Sequence, residues 1–121
     1  RMDRTVEIVR LSDDSFMERL GWAISRADIV VDAIFGTGIK GELKDPHASV
    51  IEMINSGRAF KLAVDVPSGL DPLTGEVRGR AVKADATITF HRPKKGLLAR
   101  KDLVGKLVVA NIGIPPEAEW I

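Results

Sequence analysis

AVDVPSGL, residues 63–70, is the stretch whose reading decides the fold. The apolar run from Phe60 to Val64 stops abruptly at a carboxylate, Asp65, and passes through Pro67 into a tight Ser68-Gly69 turn. A short apolar run punctuated in this way reads as a buried strand. In open α/β sheets the ligand crevice lies beyond the carboxyl ends of the strands, where a side chain meets ligand while its backbone stays rigid. Two readings of Asp65 stand at this point: it reaches into such a crevice, or it serves the turn that follows.

The same arrangement occurs earlier. Ile29, Val30 and Val31 run into Asp32, and after Ala33, Ile34 and Phe35 comes the loop Gly36-Thr37-Gly38-Ile39-Lys40-Gly41. Glycines allow positive φ and close backbone approach, so successive amides can point at an anion such as a phosphate, with Thr37 and Lys40 as side-chain donors. The loop lacks both the P-loop Gly-Lys-Ser/Thr ending and the full G-x-G-x-x-G spacing, and by itself it reads as a turn.

Composition sets the outer bounds. The 121 residues are 45% apolar and 29% charged, the profile of one compact domain. Eighteen basic residues nearly balance 17 acidic ones, for a net charge of +1, and no basic block or aromatic platform accompanies them, so nucleic acid is not an expected partner. Cysteine is absent, which excludes disulfides and thiolate metal sites, and His47 and His91 have no metal-ligand spacing. No apolar run approaches the length of a membrane span or signal-peptide core. The expected setting is soluble and cytoplasmic, with no membrane partner.

Strands alternate with helices along the chain, the pattern of a largely parallel sheet. Residues 5–11 alternate in the strand manner. Ser12 is placed to cap a helix over 13–27, in which Phe16, Met17, Leu20, Ala23, Ile24 and Ala27 recur at three and four. A buried strand covers 28–34. Asp45 and Pro46 open a second helix, with Val50, Ile51 and Ile54 on one side and an end at Asn55-Ser56-Gly57. A strand at 60–64 follows, then a polar excursion over 71–83 long enough to be functional. Residues 86–90 form a β-branched strand, 91–102 a mostly basic loop, and a last strand starts at Leu103 or Lys106 and ends at Ala110.

Four ordered motifs, DAIFGTGIKG (32–41), AVDVPSGLDPLTG (63–75), ADATITFHRPKKGL (84–97) and VVANIGIP (108–115), resemble the second half of the NAD(P)H-hydrate epimerases, the YjeF N-terminal-type domains. The resemblance implies a Rossmann-like three-layer αβα fold with a largely parallel sheet. It implies interconversion of the R and S forms of hydrated NADH and NADPH (NADHX and NADPHX), damaged cofactors with a hydroxyl at C6 of the nicotinamide ring, in concert with an NAD(P)HX dehydratase. By the same resemblance Asp32 and Ser68 match positions that help hold a potassium ion. The loop of Gly36, Thr37, Gly38, Ile39, Lys40, Gly41 and Glu42 matches the dinucleotide-binding loop. Asp65 matches a substrate-binding carboxylate beside the reacting ring, where it is expected to act as the catalytic acid and base, and Lys94 is a further match in the HRPKKG turn.

The family's first strand and its G-N-N-G-G-D-G loop have no counterpart here. Residues 1–121 are therefore expected to be a partial epimerase domain, and the dehydratase to follow in the same parent chain or act separately. A sheet so truncated should expose apolar surface, which calls for an N-terminal half or self-association. The alternative is a non-catalytic nucleotide-binding or assembly module. Ser68 is not in a G-x-S-x-G elbow and has no histidine placed to activate it, so a serine hydrolase is not expected. Lys94, Lys95, Arg100 and Lys101 read as a solvated basic loop before a phosphate contact. Trp22 and Trp120 are candidate markers of a partner surface.

Overall fold

The computed structural model describes residues 6–35, 43–77, 79–111 and 113. Helix α1 (Phe16–Arg26) leads into strand β1 (Ile29–Asp32), helix α2 (His47–Ser56) and strand β2 (Phe60–Val64). The excursion after β2 returns as strand β3 (Ala86–Phe90), and two short helices, α3 (Lys95–Ala99) and α4 (Lys101–Val104), precede strand β4 (Lys106–Ala110). All neighbouring strands pair in parallel, in the order β1-β2-β3-β4.

That order has a geometric consequence. Parallel crossovers are right-handed, so a sheet laid down in a single direction collects its connections on one face. Val30 of β1 joins the core of Ile24, Val50, Ile51, Ile54 and Val82, with Phe16, Met17 and Leu20 of α1 packed against it. At the other end of the same face, Leu107 packs on Val66, Leu70, Ala81, Leu97 and Val104. Ala63, Thr87 and Thr89, between these two clusters in register, are wholly buried. The described residues thus build the sheet and one helical layer of the α/β architecture. The opposite face is open: Ile29 (59% exposed), Val31 (55%), Phe60 (47%) and Val108 (42%) lie bare along it.

Three expectations are corrected. Residues 6–11 form no strand: among the described residues β1 pairs with β2 alone, the alternating segment joins no ladder, and Val6 and Ile8 are exposed. The first helix starts at Phe16, because Asp13 closes a turn instead: its carboxylate accepts the Arg10 N–H and its own N–H bonds the Arg10 carbonyl. The basic segment 91–102 is not all loop, since Leu97 and Val104 each seat a short helix against the sheet.

Two glycines make the carboxyl edge compact. Gly69 has φ +94°, and a Cβ there would stand 1.9 Å from the Arg80 carbonyl oxygen. At Gly96 a Cβ would meet the Asp71 and Pro72 carbonyl oxygens at 2.6 Å, so only glycine lets α3 lie against the excursion. Replacing Gly69 by Ala should cost about 3 kcal/mol or more, since strain and overlap act together; chemical denaturation measures it, and a loss below about 1 kcal/mol would contradict the packing described. The isolated chain should self-associate through the open face in sedimentation velocity, and the double variant Val31→Glu, Phe60→Glu should be monomeric with its helical-side core intact. A wild-type monomer would count against that use of the face.

Candidate functional site

The carboxyl ends of β1, β2 and β3 form one rim, and the expected polar residues stand on it. Asp32 is the last residue of β1 and pairs in register with Ala63, two residues before Asp65 on the neighbouring strand. Both carboxylates therefore occupy the same edge of adjacent strands.

Asp32 is 1% exposed and Ser68 equally so. The Ser68 N–H donates to Asp32 Oδ2 at 2.7 Å and its hydroxyl to Oδ1 at 2.6 Å, while the Ile34 N–H reaches Oδ1 at 3.3 Å. Ser68 Oγ in turn accepts the Phe35 N–H at 3.0 Å, and the Phe35 ring lies 5.1 Å from that of His47. One serine so ties the turn after β2 to the segment leaving β1. Burial pushes the Asp32 carboxyl above its ordinary value of 3.8, and the hydrogen bonds from Ser68 and Ile34 oppose but do not cancel that rise. Among the described residues no lysine, arginine or histidine pairs with Asp32.

Those donors suit a large, weakly hydrated cation. They are all oxygens: the Asp32 carboxylate, the Ser68 hydroxyl and the Phe35 carbonyl, 3.5 Å from Ser68 Oγ. Among the described residues no cluster of three or more histidine, cysteine, aspartate or glutamate side chains is placed to hold a metal ion.

Asp65 follows β2 with φ +74°, and the Val66 N–H bonds the Val64 carbonyl across it at 2.9 Å, a tight γ-turn of the rare positive-φ kind. His91 after β3 repeats the device, with φ +69° and the Arg92 N–H on the Phe90 carbonyl. Backbone held in this region concentrates at functional sites. The turn presents Asp65 to Lys94, whose ammonium lies 3.0 Å from Oδ1 and 3.1 Å from Thr89 Oγ1. Both members of the ion pair are about a quarter exposed, at 24% and 26%, so solvent reaches them.

Asp32 and Ser68 are thus brought together, and Asp65 stands on the same rim in partnership with Lys94. Gly36, Thr37, Gly38, Ile39, Lys40, Gly41 and Glu42 lie outside the described residues. Thr89 escaped the sequence reading because β-branched residues suit any strand; the signal available was Thr87 and Thr89 alternating on one buried face, where each hydroxyl needs a partner. Lys94 stands apart from the exposed Lys95 and Lys101 because its ammonium pairs with Asp65.

Ser68→Ala should destabilise the fold by about 1.5–3 kcal/mol, the usual worth of a hydrogen bond to a charged group, because Asp32 loses the hydroxyl. The raised folded value of Asp32 also fixes a sign. Between 3.8 and that value the native state holds the proton more tightly than the unfolded chain, so this contribution to stability is fullest below 3.8 and falls as pH rises through the window. Carboxyl 13C NMR should place the Asp32 midpoint above 3.8, and a midpoint below it would contradict the burial argument.

A family model described as YjeF-related protein N-terminus matches residues 5–96. The bifunctional NAD(P)H-hydrate repair enzyme Nnr of Pyrobaculum aerophilum is 60% identical over 97 residues, covering 78% of this chain and 19% of the relative. The NAD(P)H-hydrate epimerase of Nitrosopumilus maritimus is 55% identical over 94 residues, 78% of this chain and 44% of that protein. The crystal structure of the yeast protein ynu0 shares the fold, with a TM-score of 0.69 at 22% identity over 88% of this chain and 44% of its own. The chain spans less than half the length of each of these relatives. With its parallel sheet, its Asp32 and Asp65 strand ends and a family match over residues 5–96, the chain belongs to the YjeF-related protein N-terminus family.

Proposed function

We propose that this chain carries part of the site that interconverts the R and S forms of hydrated NADH and NADPH. The observation that carries the reading is the placement of an ion-paired carboxylate, Asp65, on the same strand edge as the buried Asp32–Ser68 pair. The names of the relatives from Pyrobaculum aerophilum and Nitrosopumilus maritimus support it.

The substrate's C6 hydroxyl sits beside the ring nitrogen, so the stereocentre is a hemiaminal. Asp65 takes up a proton from solvent before turnover and, as the acid, delivers it to that hydroxyl; the C6–O bond breaks, water departs, and the nitrogen lone pair forms the C=N bond of an iminium ion. Water then adds to the opposite face of C6 and returns its proton to the Asp65 carboxylate. Atoms and charge balance without a redox partner. Lys94, 3.0 Å away, offsets the carboxylate's charge during the interval in which it is ionised. The Asp65 turn holds the group at the rim.

Asp32, Ser68 and the Phe35 carbonyl would hold a potassium ion, which when bound supplies a fixed positive charge next to the dinucleotide. The loop of Gly36 to Glu42 follows Phe35 in the sequence, and in this reading it takes the phosphates. A dehydratase acts with the epimerase, fused to it or separate. The open sheet face is covered by another segment of the domain or by a second copy. The setting in this reading is the cytoplasm; no described helix is long and apolar enough to cross a membrane.

Asp65→Asn is the direct test. Asn tolerates positive φ almost as well as Asp, so the fold should persist while epimerisation falls by about 100-fold or more. The assay mixes purified hydrated NADH epimers with an S-specific dehydratase and follows consumption of the R form. A D65N variant of undiminished rate would remove Asp65 from the mechanism, and binding without turnover in the wild type would favour the assembly-module reading.

A further inference from the structure

Thr89 is wholly buried on the helical side of β3, in a position where valine would fill the same volume. A buried hydroxyl is costly unless it is bonded. Its neighbour on the same face, Thr87, meets that requirement structurally by donating to the Val104 carbonyl of α4 at 2.8 Å. Thr89 has a different partner. Its Oγ1 accepts the Lys94 ammonium at 3.1 Å, and the same ammonium reaches Asp65 at 3.0 Å.

Lysine is a poor fixed point without such an anchor, since its four-carbon stem carries three rotatable donors. Here the stem starts from a fixed place. The Lys94 carbonyl accepts the Leu97 N–H at the head of α3, and α3 is pressed onto the excursion through Gly96, whose N–H bonds the Pro72 carbonyl at 2.6 Å. At the other end, the ammonium bridges one acceptor on β3 and one on the turn after β2. Two acceptors on neighbouring strands select a single ammonium position, and Thr89 is the one of them that does not change protonation during turnover.

We propose that Thr89 is a positioning residue, whose hydroxyl holds the Lys94 ammonium against Asp65 in the arrangement the proton transfer requires. The proposal rests on the reading in which Asp65 moves the proton, but the anchoring itself is a property of the resting protein. Without the hydroxyl, Lys94 swings toward solvent, and Asp65 loses a charge partner of defined position while substrate contacts elsewhere on the rim are unchanged. The effect should therefore fall on kcat and spare KM.

The test compares Thr89→Val with Thr89→Ser. In the Val variant kcat should drop about tenfold, the loss expected for one hydrogen bond to a charged group, with KM within about twofold. Thr89→Ser should restore kcat to within about twofold of wild type. The melting temperature of the Val variant should be equal to or above that of the wild type, because a buried hydroxyl has been replaced by a methyl group. Competitive acetylation of the resting protein, read by peptide mass spectrometry, should show Lys94 labelled several-fold faster in the Val variant and at the wild-type rate in the Ser variant. A Val variant with a lowered melting temperature, full kcat and unchanged Lys94 labelling would overturn the proposal and leave Thr89 a structural residue. If the full-length wild-type protein does not epimerise at all, the epimerase reading fails, and the labelling alone decides the anchoring of Lys94.

Discussion

A buried carboxylate satisfied by one serine is the constraint on which the rest of the rim depends. Asp32 gives up its hydration to sit at 1% exposure, and it recovers three hydrogen bonds, two of them from the backbone and side chain of Ser68. Charge-assisted bonds of this kind are worth about 1.5–3 kcal/mol each, against a desolvation cost of several kcal/mol for a buried ion. The upward displacement of the Asp32 carboxyl says that the balance is incomplete. The pair therefore does two things. It joins the exits of β1 and β2 into one rigid corner, and it leaves a buried carboxylate whose charged form is incompletely stabilised.

The direction in which the strands are laid down explains both the rim and the open face. With the order β1-β2-β3-β4 and no reversal, the three carboxyl ends from Asp32, Asp65 and His91 follow one another along one edge. The same lack of reversal sends α1 to α4 to a single side, where the two buried clusters form. Ile29, Val31, Phe60 and Val108 are apolar because the sheet is built to be covered twice. The chemistry of the edge and the stickiness of the face are thus two results of one topology.

Much of this was legible in the residues. The strands 60–64 and 86–90 were read with the bounds found, because each is a short β-branched or apolar run between turn signals. The expectation that Asp65 and Asp32 share an edge followed from parallel pairing alone, and the register carries it. Residues 6–11 misled because alternation reports a preference for a pleated surface and not the presence of a neighbour to pair with. α3 and α4 were hidden for the opposite reason: Lys95, Arg100 and Lys101 dominate the segment, while only Leu97 and Val104 reveal the packing. The Thr89 contact could not be found from spacing, since Lys94 reaches it by leaving the strand and turning back through a helix cap.

In the proposed function a hydrated nicotinamide nucleotide binds at the carboxyl rim shared by β1, β2 and β3. Backbone amide NMR of the 15N-labelled protein, titrated with hydrated NADH in potassium buffer, tests it most directly. Saturable shifts should concentrate at residues 32–35, 65–69 and 89–94 and weaken when sodium replaces potassium. Shifts confined to the α1 and α2 surface or to the opposite ends of the strands, with the rim silent, would contradict it.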